Sequence, residues 1–131
     1  MIEFEELNQR LMQSEEPINN LKEALDIDNV KVQIAELEKQ SAAPDFWDDM
    51  ENSQKTMQKI GSLKAKVASY ENLKNDFDDA QVMIELANEE EDESLVEDCT
   101  KSVDDIEKRI EKLTLSTLLS GEFDDNNAIL T

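Results

Sequence analysis

Thirty-three aspartates and glutamates among 131 residues are the side chains with the most obvious capacity for chemistry. Carboxylates can hold cations or trade protons, so each such use has a pattern to meet. A calcium loop of twelve residues needs glycine at its sixth place and glutamate at its twelfth. Loops starting at Asp26 or Asp28 put Lys31 and Leu37, or Gln33 and Lys39, at those places, and both fail. There is no histidine, which removes His-based triads and the commonest metal ligand. The single cysteine, Cys99, can form neither an intrachain disulfide nor a zinc site, and it falls on an apolar stripe as a small core residue would. The two glycines, Gly61 and Gly121, are too far apart for a phosphate loop. No catalytic residue, cofactor site or metal site is expected, and the chain by itself is not expected to be an enzyme.

What the acids do supply is a field. The formal net charge is −20. It is uneven: residues 1–50 carry 4 basic and 13 acidic side chains, residues 51–87 carry 5 and 6, and residues 88–131 carry 4 and 14. Such a surface repels phosphate backbones and anionic membranes, so neither nucleic acid nor membrane is an expected direct partner. A basic protein surface is the natural counterpart, and solubility alone is the plainer reading of the same charge. The N-terminus is acidic with no apolar run and nothing is long enough to span a membrane, so the cytoplasm is the expected compartment.

The elements that must position these charges are helices. Phe4, Leu7, Leu11, Ile18, Leu21 and Leu25 follow steps of three and four, with Ser14 in the missing place. Pro17 interrupts this stripe; Ser14 as a cap with Pro17 in a new first turn gives either a kinked helix or two short ones. Ile27, Val30, Ile34 and Leu37 mark a second helix over about 27–40, with the potential caps Asp26, Asp28 and Asn29 around its start. Pro44 ends it. Asp49 is a good N-cap for a long third helix over about 50–87, roughly 55 Å of it, with apolar residues at 57, 60, 63, 67, 70, 73, 77, 80, 84 and 87. The acidic run Glu89, Glu90, Glu91, Asp92 and Glu93 forms a tip where Asp92 or Ser94 can cap the next helix. Val96, Cys99, Val103, Ile106, Ile110, Leu113 and Thr117 then keep the same steps up to a glycine stop at Gly121. Two long helices joined so briefly run antiparallel. The predicted fold is all-α, an antiparallel long helical hairpin with one or two additional N-terminal helices, hence a coiled-coil-like bundle of three or four. Residues 1–121 would form this domain. Residues 122–131 read as a linker followed by strand-like Ala128, Ile129, Leu130 and Thr131.

Between the second and third helices lies Pro44-Asp45-Phe46-Trp47-Asp48-Asp49, which holds the only tryptophan. Phe46 and Trp47 have two readings: folded back on the helices to fix the turn, or an exposed aromatic anchor.

This turn resembles the N-terminal region of the bacterial peptide chain release factor 2 family. So do Leu118-Leu119-Ser120-Gly121-Glu122-Phe123-Asp124, the following Asn126 to Leu130, the run Glu90 to Leu95, Leu25-Asp26, and Ile34 to Glu38. The sister factor for the other stop-codon pair typically lacks the Phe-Trp element, and Met50 stands where many relatives have proline. The resemblance implies a translation-termination protein whose stop-codon reading and Gly-Gly-Gln-dependent peptidyl-transfer-RNA hydrolysis reside in other domains; this sequence carries neither element. It also implies docking near the factor-binding centre of the large ribosomal subunit against stalk-base protein. A monomer is expected, and the acidic tip, Glu89, Glu90, Glu91 and Asp92, is the expected carrier of part of that contact. The alternatives are an acidic coiled-coil adaptor for a partner helix or basic protein, which unsatisfied heptads would drive into dimers, and a mimic of nucleic-acid charge.

Overall fold

The structure, a computed structural model, describes residues 2–119. Those residues are helical throughout apart from short turns, and among them there is no strand. The helices are α1 Ile2–Gln13, α2 Glu15–Ala24, α3 Ile27–Ser41, α4 Met50–Glu90 and α5 Val96–Thr117. Two short 3-10 turns, Phe46–Asp48 and Glu93–Leu95, precede α4 and α5. The glycine stop at Gly121 and the strand-like Ala128 to Thr131 lie outside the described residues.

Contacts divide the chain into two compact units. Among the described residues the first joins 2–21 with 72–119; the second is Lys22–Glu71.

In the first unit, Phe4, Leu7 and Leu11 of α1 are buried, and α1 lies against α5, whose Cys99, Val103 and Ile106 are buried in turn. Leu73, Phe77, Ala80, Ile84 and Ala87 add the buried stripe of α4. The first stripe resolves as two helices. Pro17 has no N–H to give the Gln13 carbonyl, so the ladder breaks there. Ser14 is buried, but it is not the side-chain cap its type predicts, because its hydroxyl donates back to the Arg10 carbonyl at 3.3 Å. Cys99 is 0% exposed and burial pushes its thiol up, which suits an inert core residue.

In the second unit, Ile27 and Val30 of α3 and Ile60, Leu63, Val67 and Tyr70 of α4 are buried. Lys31 pairs with Glu71 at 2.8 Å, and Glu38, two turns further along α3, pairs with Lys64 at 2.9 Å, two turns back along α4. That arithmetic holds only for antiparallel helices. Two expectations need correction. Met57 is 43% exposed, because the inward place of that turn of α4 goes to Ser53 and Ile60 instead. Asp26 makes no side-chain cap; it takes the left-handed conformation (φ 54°) at the sharp turn between α2 and α3.

The end of α4 is also unusual. Glu91 has φ 53°, with hydrogen bonds from Glu91 N to Asn88 O (3.1 Å) and from Asp92 N to Ala87 O (3.0 Å). These two bonds define a Schellman stop, in which the left-handed place is ordinarily a glycine. A side chain there costs about 1 kcal/mol. Glu91→Gly should therefore raise stability by about 0.5–1 kcal/mol and the melting temperature by a few degrees, roughly 2–6 °C. Glu91→Gln, measured alongside by thermal circular dichroism, separates the backbone effect from loss of charge. A glycine variant no more stable than the glutamine one would refute this account.

Candidate functional site

Two features have the composition of a recognition surface, and they belong to different units. The first is the turn between α3 and α4. Pro44 follows the end of α3, and the chain closes a 3-10 turn through Phe46 N to Ala43 O and Asp48 N to Asp45 O, both 3.1 Å. Asp49 is extended, and its Oδ1 accepts the Asn52 N–H at 3.1 Å, the cap its type and place predict. The turn is tied down by a residue that sequence reasoning missed. Ser53 is 0% exposed; its hydroxyl lies 2.6 Å from the Phe46 carbonyl and 2.8 Å from that of Asp49. One small side chain thus stitches the turn to the first turn of α4.

The aromatic pair divides its roles. Phe46 is buried at 8% exposure, whereas Trp47 is 53% exposed. The rings meet edge to face, with centroids 5.0 Å apart and planes at 87°. Phe46 is the half that folds inward. Trp47 does not fold back, which corrects that reading for the indole: it meets Phe46 at right angles and leaves most of its surface to solvent. Pro44, Asp45, Asp48 and Asp49 are exposed around it.

The second feature is the acidic tip of the first unit. Glu89, Glu90 and Glu91 are exposed and Asp92 is half-buried. Asp92 is spoken for: its Oδ1 accepts Ser94 N at 3.1 Å and Ser94 Oγ at 2.5 Å. It caps the 3-10 turn, while α5 itself follows Leu95, which offers it no side-chain cap. Glu89 and Glu90 sit in the last turn of α4, where no basic residue is present. Carboxylates at a helix C-terminus oppose the macrodipole, each at about 0.3–1 kcal/mol. The tip therefore holds three charges in a place that local stability disfavours.

Arginines hold the helices that carry the tip. Arg10 Nη2 donates to Asp104 Oδ1 and Glu107 Oε1, both at 2.6 Å, and Arg10 Nε to Glu107 Oε2 at 3.3 Å, clamping α1 to α5. Hydrogen bonds to Glu107 and then Asp104 push the Arg10 pKa up, so the clamp is cationic at every working pH. Arg109 Nη1 bridges Asp76 of α4 (2.5 Å) and Asp105 of α5 (3.0 Å). Burial lowers the Arg109 pKa, but the two carboxylates outweigh it and the net shift is upward. Beside this bridge Asp76, Asp79, Ala80, Met83, Ser102, Asp105 and Ile106 line an open groove of about 230 Å³. Among the described residues no cluster of three His, Cys, Asp or Glu side chains is placed to hold a metal, and no helix is long and apolar enough to cross a membrane.

Replacing Ser53 by alanine removes the only side-chain donor to the Phe46 and Asp49 carbonyls among the described residues and should cost about 1–2 kcal/mol. Chemical denaturation followed by helix signal and by Trp47 fluorescence checks this. A midpoint unchanged within error would mean that the turn does not depend on Ser53.

Known proteins place this geometry in context. The family model described as the PCRF domain matches residues 30–131. The chain is 34% identical over 129 residues to peptide chain release factor 2 of an Exiguobacterium species, an alignment covering 98% of this chain and 35% of that protein. It is 39% identical over 129 residues to peptide chain release factor 2 of Clostridium perfringens (96% and 35%). With the protein of the same name from Streptomyces avermitilis it is 33% identical over 125 residues (95% and 34%). The chain thus spans about a third of the length of the curated relatives it matches. With the all-helical architecture of the described residues and the family match in agreement, the chain belongs to the PCRF domain family, and over nearly its whole length it is similar to proteins named peptide chain release factor 2.

Proposed function

We propose that this chain is the N-terminal ribosome-docking domain of a stop-codon-dependent peptide chain release factor. Its role is positional: it orients and retains the factor at the factor-binding centre of the large subunit, and it carries out no hydrolysis itself. The partner is a basic ribosomal protein at the stalk base, reached by the chain as a cytoplasmic monomer. The observation that carries this reading is the tip. Glu89, Glu90 and Glu91 stand exposed at the C-terminal end of a 41-residue helix with no neutralising cation in its last turn. A charge arrangement that weakens the helix it sits on is best explained by a cation supplied from outside. The net charge of −20 favours protein over RNA as the immediate contact.

Asp92 caps a turn and should be left in place when the tip is tested. The variant Glu89→Ser, Glu90→Ser, Glu91→Ser keeps that cap. Its association with ribosomes, measured by pelleting across a salt series, should fall by roughly three- to tenfold at low salt and show a shallower salt dependence. If affinity and salt slope both match those of the unaltered chain, the tip is not the contact. If the unaltered chain fails to associate even at low salt, docking by this domain is refuted.

A further inference from the structure

The second unit presents a surface that the tip hypothesis leaves unused. Trp47 is the only tryptophan, and it is held outward by a built device: Phe46 buried beneath it, Ser53 fully buried and bonded to the Phe46 carbonyl, and Asp49 capping α4. Met50 and Met57, both exposed, fall seven residues apart on one face of α4 next to the turn. Isolated exposed apolar residues are ordinary. A tryptophan on a turn fixed by a buried hydrogen bond, with two exposed methionines on the first two turns of the helix that follows, has the composition of an interface anchor.

The charge around it says what it would anchor. From Pro44 to Glu51 the chain carries four carboxylates, Asp45, Asp48, Asp49 and Glu51, and no cation. Asp49 uses one oxygen on the Asn52 N–H, and Glu51 has only a 3.5 Å contact with Lys55, both ends of which are largely solvated. The carboxylates of Asp45 and Asp48 make no hydrogen bond or ion pair among the described residues and are exposed. An indole face beside unpaired carboxylates matches a guanidinium, which stacks on aromatic rings and pairs with carboxylates at once. A second copy of this chain would bring its own negative charge to the same place and is disfavoured.

We propose that Trp47, flanked by the free carboxylates of Asp45 and Asp48, is the anchor of a second docking surface, for an arginine-bearing segment of a basic protein. This surface belongs to the second unit and stands whether or not the acidic tip docks on ribosomes.

Because Trp47 is the only tryptophan, its emission reports on this turn alone. The 131-residue chain is titrated with hexa-arginine and hexa-lysine peptides at about 0.15 M salt, where distant charge is largely screened. Hexa-arginine should change the Trp47 emission saturably and bind roughly three- to tenfold more tightly than hexa-lysine. In calorimetry, Trp47→Ala should abolish that preference. Asp45→Asn with Asp48→Asn, which leaves every aromatic contact intact, should weaken hexa-arginine by about threefold or more. If Trp47→Ala lowers helicity, the double Asn variant decides by itself. Binding without an emission change, or equal affinity of the double Asn variant, would mean that the peptides coat the acidic surface at large and would overturn the proposal. Trp47-dependent self-association in sedimentation, without peptide, would overturn it in favour of a second copy as occupant.

Discussion

Thirteen cations face 33 carboxylates in this chain, so its helices assemble against a field that pushes them apart. Everything else follows from how that repulsion is overcome. The apolar stripes supply the attraction: each fully buried Leu, Ile, Val or Phe contributes about 1.5–3 kcal/mol, and burial is insensitive to charge. The scarce cations then decide geometry. Arg10 joins α1 to α5, Arg109 joins α4 to α5, and Lys31 and Lys64 join α3 to α4. These pairs are partly solvated and individually add about 1 kcal/mol or less. Their value lies in register, since a helix shifted by one turn would lose them: four residues either side of Glu71 stand Val67 and Asn75, and four either side of Lys64 stand Ile60 and Ala68.

That division of labour explains what the sequence makes legible. A three-and-four spacing of apolar residues is a direct image of burial, so the stripes of α1, α2 and α4 and the first halves of those of α3 and α5 emerge with few errors, whereas Ile34 and Leu37 of α3 are only half-buried. The span of α4 is legible because no proline interrupts it, and Asp49 is legible as a cap because its only good local partner is the backbone ahead of it. The stripe of α5 weakens toward its end, where Ile110 and Leu113 are half-buried, since spacing records which face is apolar and not what covers it. The buried serines escape the same logic. The inward place of Ser14 is marked by the gap it fills in the first stripe, whereas that of Ser53 is marked by nothing, and hydrophobicity alone favours the exposed Met57 one turn on. Glu91 escapes it for a different reason: a left-handed helix stop is read from glycine, and the chain uses a glutamate.

At the candidate sites the boundary of legibility falls within single motifs. Phe46 and Trp47 are adjacent aromatic residues that any hydropathy scale treats alike, yet one is core and the other surface. The 3-10 turn forces the split, because two consecutive side chains on so tight a turn diverge and only one can face the helices. The same applies to Asp92 and Glu90, both acids of one run. One is consumed by the turn and the other is left to solvent.

The places where this chain departs from local stability share one chemical property. At the tip, carboxylates oppose a helix dipole and a glutamate occupies a left-handed backbone. At the α3–α4 turn, a tryptophan is kept out of a core that has few aromatic residues to spend, beside aspartates with no cation. Each departure leaves negative charge unsatisfied at a point held rigid by hydrogen bonds to backbone carbonyls: the Schellman pair at Glu91 and Asp92, and the Ser53 hydroxyl on Phe46. Solubility alone would ask only for charge, spread anywhere over the surface. It gives no reason to fix carboxylates on a rigid stop, or to hold an indole outward with a fully buried serine. Rigid presentation is what lowers the entropic cost of binding, since a side chain that is already ordered has less freedom to lose. Within the repulsive field of the whole chain, such fixed and unneutralised carboxylates are most readily completed by cationic groups on another protein.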